Sequence, residues 1–273
     1  MSLDVRQEGT LMCPMITVRN PCSVEKIAPP FRPIVDDAVK AYRDILAGSV
    51  CSIRLLGSVP RGEAIIGQSD IDFMGVLGCA PSGDQRASLE RRASDLYETY
   101  PVVSKVDLDY VVAGSVSELQ KFVFSSDSIS LYGDDTFSRA EQQMPLDELV
   151  NLVTPDIKSL LPDYMGHVKQ VDEQDRKRLF QWSRWCGKDV IKCLRGDAIL
   201  REGKYDRTIK GTHHQLRRCF PEHAQVIDKL LVLYETPEPN KRKILQVLKE
   251  VEETFLKKDP REEAEPNGGT LRR

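Results

Sequence analysis

Near residue 140 the patterning of this chain changes, and that change limits what it can fold into more than any other feature. Upstream, short apolar runs with strand period alternate with helical repeats: helix over 34–46, strand over 50–56, a turn-rich segment over 57–68, strand over 70–77, helix over 82–99, strand over 106–112 and helix over 116–124. Downstream, strand signals stop and three- and four-residue apolar spacing marks helices at 146–153, 176–200, 208–219, 222–234 and 241–256. The pattern predicts an α+β chain: a small mixed sheet with flanking helices, then an all-helical C-terminal domain. The expected division is an irregular lead-in over 1–32, a mixed domain over 33–140, a helical domain over 141–256 and a disordered tail over 257–273. Regular structure is expected to begin after Pro33, and the tail has too few apolar residues to offset its ordering entropy.

Bulk properties exclude several classes. No run approaches the ~20 apolar residues of a membrane span, and the first 27 residues lack a charged start followed by an apolar block. A soluble, cytoplasmic protein without a membrane partner is expected. Seven cysteines (Cys13, Cys22, Cys51, Cys79, Cys186, Cys193 and Cys219) show neither a C-x-x-C pair nor zinc-ligand spacing, so they read as reduced and mostly buried thiols. A net charge of -3 gives no overall reason to expect nucleic acid as the main partner.

The chemistry concentrates in the segment from Gly57-Ser58 through Arg61-Gly62-Glu63-Ala64 to Ser69-Asp70-Ile71-Asp72. Gly57 lets the backbone approach a phosphate closely, and Ser58 supplies a hydroxyl and an N–H for outer phosphates. Strand period sets Asp70 and Asp72 on one face, ~6.6 Å apart, with Ile71 and Phe73 turned into the core. Magnesium is commonly held by one or two carboxylates together with substrate phosphates, so this pair suits a nucleotide-bound ion. A two-ion site needs a third acid. The strand over 106–112 offers Asp107 and Asp109 on one face, and periodicity does not choose between them. The bland alternative is a Gly-Ser turn beside exposed strand-end aspartates.

The run from Gly57 to Asp72, with Asp107 or Asp109, resembles the polymerase-beta-type nucleotidyltransferase superfamily, whose signature is Gly-Ser, a spacer and Asp-x-Asp. Within it the segment is similar to the small bacterial-type nucleotidyltransferases, including aminoglycoside adenylyltransferases with a helical second domain. The resemblance covers roughly residues 50–135 and implies a nucleotidyltransferase fold. It implies that Asp70 and Asp72 bind metal, that Ser58 touches the triphosphate, and that the third acid binds metal or deprotonates the acceptor hydroxyl. In such adenylyltransferases the third acid precedes about five mainly apolar residues, which suits Asp107 better than Asp109. The implied cofactors are Mg2+, as two ions, and ATP or another nucleoside triphosphate as donor. The implied reaction is in-line attack of an acceptor oxygen on the α-phosphate with pyrophosphate leaving.

Other features admit two readings each. Between Arg176 and Arg218 thirteen Lys and Arg face four acids; the bland reading is a solvated basic face, and the sharper one has Lys188, Arg195 or Lys210 reach the triphosphate, while Arg61 of the glycine turn is a separate candidate for binding the nucleotide. Trp182 and Trp185 read as core on an amphipathic helix, and His213-His214 as helix-surface residues without a metal role. The acidic stretch from Asp134 to Asp163 either favours a cationic acceptor or consists of helix N-terminal acids and surface charges. The leading expectation is adenylylation of a hydroxyl on a small, aminoglycoside-like molecule. The alternatives are a protein or RNA acceptor, which salt-sensitive RNA binding would favour, and a non-catalytic nucleotide-binding regulator.

Overall fold

The computed structural model describes residues 14–137 and 141–257; of the expected tail over 257–273, residues 258–273 lie outside them. The chain divides into two compact units, one of Thr17–Met144 and one that takes the chain from Pro145 onward together with residues up to Ile16.

β1 (Met15–Arg19) spans the boundary after Ile16, and the first unit continues with two short 3-10 turns and with α1 (Arg32–Ile45), β2 (Val50–Leu56), α2 (Ser58–Arg61), β3 (Ile71–Leu77) and α3 (Gly83–Thr99). Then come β4 (Val106–Val112), α4 (Glu118–Ser126), β5 (Ser128–Gly133) and β6 (Glu141–Pro145). Four strands form one sheet in the order β4-β3-β2-β5, and β1 pairs with β6 in a separate two-stranded sheet. β2 runs antiparallel to β3 and β5, whereas β3 and β4 are parallel. A parallel pair needs a crossover, and α3 supplies it. Its start follows from chemistry: Ser82 and Gln85 form a reciprocal capping box, as Ser117 and Gln120 do for α4.

Strand alternation gives the sheet two different faces. Ile53, Leu55, Ile71, Phe73 and Leu108 point into the main core with Ile34, Ala38 and Tyr42 of α1 and Leu89 and Leu96 of α3. Gly75 leaves room there: a Cβ on it would stand 2.8 Å from the Tyr42 ring, whose hydroxyl donates to the Asp109 carbonyl at 2.5 Å. The opposite face carries a smaller cluster of Val76, Val111, Val116 and Phe124. Beside it the buried Arg54 donates to Ser128 Oγ, the Phe124 carbonyl and Asp135 Oδ1, fastening the end of α4 and β5 to the sheet.

Three expectations are corrected. The lead-in is not irregular throughout, because it contributes β1 and buries Ile27 and Phe31 in the main core, so regular structure precedes Pro33. Strands do not stop at 140, since β6 follows; it is a short polar strand whose backbone pairing with β1 needs no apolar alternation. β5 was legible in the alternation of Ile129 and Leu131 and was not anticipated.

The second unit comprises α5 (Leu146–Val153), α6 (Ile157–Gln170), α7 (Arg176–Glu202), α8 (Ile209–Cys219), α9 (Ala224–Glu235) and α10 (Lys241–Val251). α6 escaped the sequence reading because Pro162 lies inside it. An internal proline costs ~3 kcal/mol, and here burial of Leu161, Met165 and Val168 in the helical core offsets it. α7 is the central helix, capped by Asp175 and ended by Gly203 in the left-handed region. At Gly187 a Cβ would stand 2.4 Å from the Leu230 carbonyl oxygen of α9, so the two backbones approach closely only because side chain is absent. Gly187→Ala should therefore lower stability by about 2 kcal/mol or more; chemical denaturation of both proteins measures this, and an unchanged midpoint would contradict the close packing.

The thiols are less buried than expected: among the described residues Cys186 and Cys193 are buried, Cys22 and Cys219 half-buried, and Cys51 and Cys79 exposed. Trp182 is core as expected, but Trp185 is 43% exposed, because it sits three residues along the helix on the flank of the buried stripe. His213 is not a surface residue; it is buried with Nε2 2.8 Å from Asp228 Oδ1, a partner that α9 brings from fifteen residues away. Among the described residues no helix is long and apolar enough to cross a membrane.

Candidate active site

The parallel pairing of β3 with β4 decides the geometry of the acids. Asp72 pairs with Asp107, and Met74 with Asp109. Because residues two apart share a face, Asp72 and Asp107 stand side by side on the face opposite the main core, with Asp70 just before β3 and Asp109 one step further along. On the other side of β3, Leu56 at the end of β2 pairs with Asp72. The next residue, Gly57, therefore begins its turn directly against the carboxylate.

Gly57 has φ 81° and ψ −148°, a conformation open essentially to glycine alone, and a Cβ there would lie 3.1 Å from Asp72 Oδ2. Ser58 opens the single turn α2 that follows. Arg61, at the end of that turn, gives Nη1 to both oxygens of Asp127 at 2.7 and 3.0 Å and Nε to Glu63 at 2.7 Å. Burial works against its charge, but Asp127 and Glu63 outweigh this and raise its pKa. The expectation of a triphosphate contact thus meets a guanidinium held by two carboxylates, which ties the Ser58 turn to the start of β5. The loop between this turn and Asp70 is equally fixed: Gly67 N–H donates to the Val102 carbonyl, and Ser104 donates to the carbonyls of Ser69 and Gln68.

The acids repel one another. Burial above all, then the charges of Asp70 and Asp107, raise the Asp72 carboxyl from 3.8 to about 7, and Lys105 only partly opposes them. Asp109 is also raised, by burial first and by Asp107 second. Lys105 caps the cluster, with Nζ 2.6 Å from Asp107 Oδ1 and 2.7 Å from Oδ2.

Among the described residues no closed set of three His, Cys, Asp or Glu side chains is arranged to hold a metal ion. The chain instead supplies an adjacent pair, Asp72 and Asp107, with Asp70 at its edge. That donor set fits magnesium, which takes one or two carboxylates and completes its shell with water and phosphate oxygens. The raised Asp72 carboxyl and the ammonium already lying on Asp107 both mark a place where added positive charge is favourable.

The first unit thus brings together Gly57, Ser58, Asp70, Asp72 and Asp107. Lys188 and Lys210 belong to the helical unit, where Lys188 is half-buried on α7 and Lys210 Nζ lies 2.9 Å from Glu235 Oε1. Arg195 is buried, donating to Thr212 Oγ1 and the Arg207 carbonyl, and Arg184 lies over the Tyr234 ring. The basic segment is therefore not a uniform solvated face. In the acidic stretch, Asp147 and Glu148 occupy the first turn of α5 and Asp156 caps α6, where helix ends favour negative charge. Sequence reasoning missed Lys105, although its place two residues before Asp107 put it on the acidic face, and it missed Asp127, which only folding brings to Arg61.

Spectinomycin adenyltransferase AAD(9) from Enterococcus faecialis, solved with ATP and spectinomycin, superposes with a TM-score of 0.50 at 11% identity, covering 80% of this chain and 98% of that one. The chain shares its fold with an adenyltransferase. No protein-family model and no curated protein matches it. The nucleotidyltransferase fold is thus common to the two chains, although nine in ten aligned residues differ.

Proposed function

We propose that this protein is a magnesium-dependent nucleotidyltransferase that moves AMP from ATP onto a hydroxyl of a small molecule and releases pyrophosphate. The observation that carries the reading is the direct pairing of Asp72 with Asp107 across two parallel strands, with the Gly57 backbone pressed against the Asp72 carboxylate. Asp70, Asp72 and Asp107 would hold magnesium. When bound, the ion would neutralise charge on the donor phosphates and on the leaving pyrophosphate.

The chain's own groups account for the rest. The Gly57-Ser58 turn presents a backbone free of side chain and a hydroxyl to the outer phosphates, held in place by the Arg61–Asp127 pair. Asp107 would orient the acceptor hydroxyl and accept its proton as the oxygen bonds to the α-phosphorus and the bond to pyrophosphate breaks. Asp109 lies two pairs further along, beside Met74. A small-molecule acceptor is supported by the spectinomycin in the adenyltransferase of like fold.

The test is incubation with Mg2+ and each labelled nucleoside triphosphate against spectinomycin, other aminoglycosides, proteins and RNA, scoring label on the acceptor together with pyrophosphate. Label on no acceptor would sink the reading, and label on RNA or protein would redirect it. With an active acceptor in hand, Asp107→Asn should lower turnover by about 10²-fold or more while Asp109→Asn stays within about tenfold. The reverse order would transfer the third role to Asp109.

A further inference from the structure

The ammonium of Lys105 occupies both oxygens of Asp107. Its backbone is pinned at the base of the sheet, since its carbonyl accepts from Ile71 N–H at 3.0 Å, but its side chain is 66% exposed. The head is therefore free to leave while the root stays fixed. The charge of Lys105 also reaches Asp72 and Asp109, so it is the counter-ion of the cluster and not of one aspartate. An ordinary exposed ion pair has no such neighbours.

Resting on the functional reading above, we propose that Lys105 is a built-in counter-cation that holds Asp107 in the metal-free protein and must leave it for a divalent ion to bind, thereby setting the cation affinity of the site. A group that takes the same two oxygens as the ion competes with it directly. Lys105 is on this account a positioning residue: it keeps the repelling acids together before the ion arrives and weakens the grip on the ion afterwards.

The experiment measures Mn2+ binding to the full chain without nucleotide, by calorimetry, for the wild type, K105M, K105Q, K105R and D72N. Removing one positive charge a few ångströms from the site should tighten Mn2+ binding about tenfold in both K105M and K105Q. K105R keeps the charge and should stay within about twofold of wild type. D72N should bind much more weakly, which places the ion at the cluster. Mn2+ binding that D72N weakens but that K105M and K105Q leave unchanged, or weaken, would overturn the role of Lys105 alone. No Mn2+ binding by any of the proteins, or binding indifferent to D72N, would overturn the metal site and the Lys105 proposal with it. Because the side chain is mostly exposed, neither neutral variant opens a void, and thermal melts of each verify folding.

Discussion

Asp72→Asn is expected to lower magnesium-dependent pyrophosphate release by about 10³-fold while making the metal-free protein more stable above neutral pH. Both effects come from the same carboxylate. Its pKa is raised in the folded chain to about 7 from 3.8, by burial and by Asp70 and Asp107. A carboxyl that holds its proton more tightly when folded contributes its full stabilisation below the unfolded value near 3.8. That contribution fades as pH rises and is gone above about 7. At pH 8 the wild type therefore carries an ionised, crowded Asp72, and replacing it with a neutral isostere should return on the order of 1–2 kcal/mol after allowance for solvent screening. At pH 4 the two proteins should differ little. Thermal melts in EDTA across this range measure the stability arm, and single-turnover pyrophosphate release measures the other. An Asn protein that turns over at the wild-type rate would remove Asp72 from the site, and one that is less stable at pH 8 would refute the repulsion.

Gly57→Ala is expected to cost about 1–3 kcal/mol of stability and about 10²-fold in turnover. The backbone at φ 81° and ψ −148° is strained for any residue with a Cβ, and that Cβ would crowd Asp72 Oδ2 at 3.1 Å. Relief requires the turn to shift or the carboxylate to rotate, and either moves the Gly57-Ser58 turn relative to the acids. A displacement of this size should appear in the rate more than in donor affinity, since near-attack geometry is sensitive to shifts of about 1 Å. Denaturant unfolding and steady-state kinetics with ATP separate the two arms. Retention of both wild-type stability and turnover by the alanine protein would show that the turn does not need its glycine.

Arg61 shows how a local reading leaves out a partner that folding supplies. A guanidinium three residues after Ser58 looks available for phosphate when only the sequence is in view. Folding brings Asp127 from the end of α4, sixty-six positions away, and the bidentate pair makes Arg61 a strut of the turn. His213 repeats the pattern, with Asp228 arriving from the next helix. Partners at such separations leave no periodic trace, because the contact depends on how whole elements pack.

What the sequence determined by itself is local. Repeat spacing marked α1, α5, α7 and the strands β2, β3 and β4, because apolar period is a direct record of which face each element buries, and composition marked α3. The Gly-Ser turn and the two acidic strands were likewise legible, since a positive-φ turn pressed against a carboxylate and alternate carboxylates on a strand each require particular residue types. Only the tertiary structure decided which acids meet: Asp107 and Asp109 share a face of β4, and it is the register with β3 that sets one beside Asp72 and the other beside Met74. Register is a property of two strands together. No pattern within either one contains it, and for the same reason the strut Asp127 became visible only in the folded chain, whereas the place of Lys105 two residues before Asp107 was a signal within one stretch of chain.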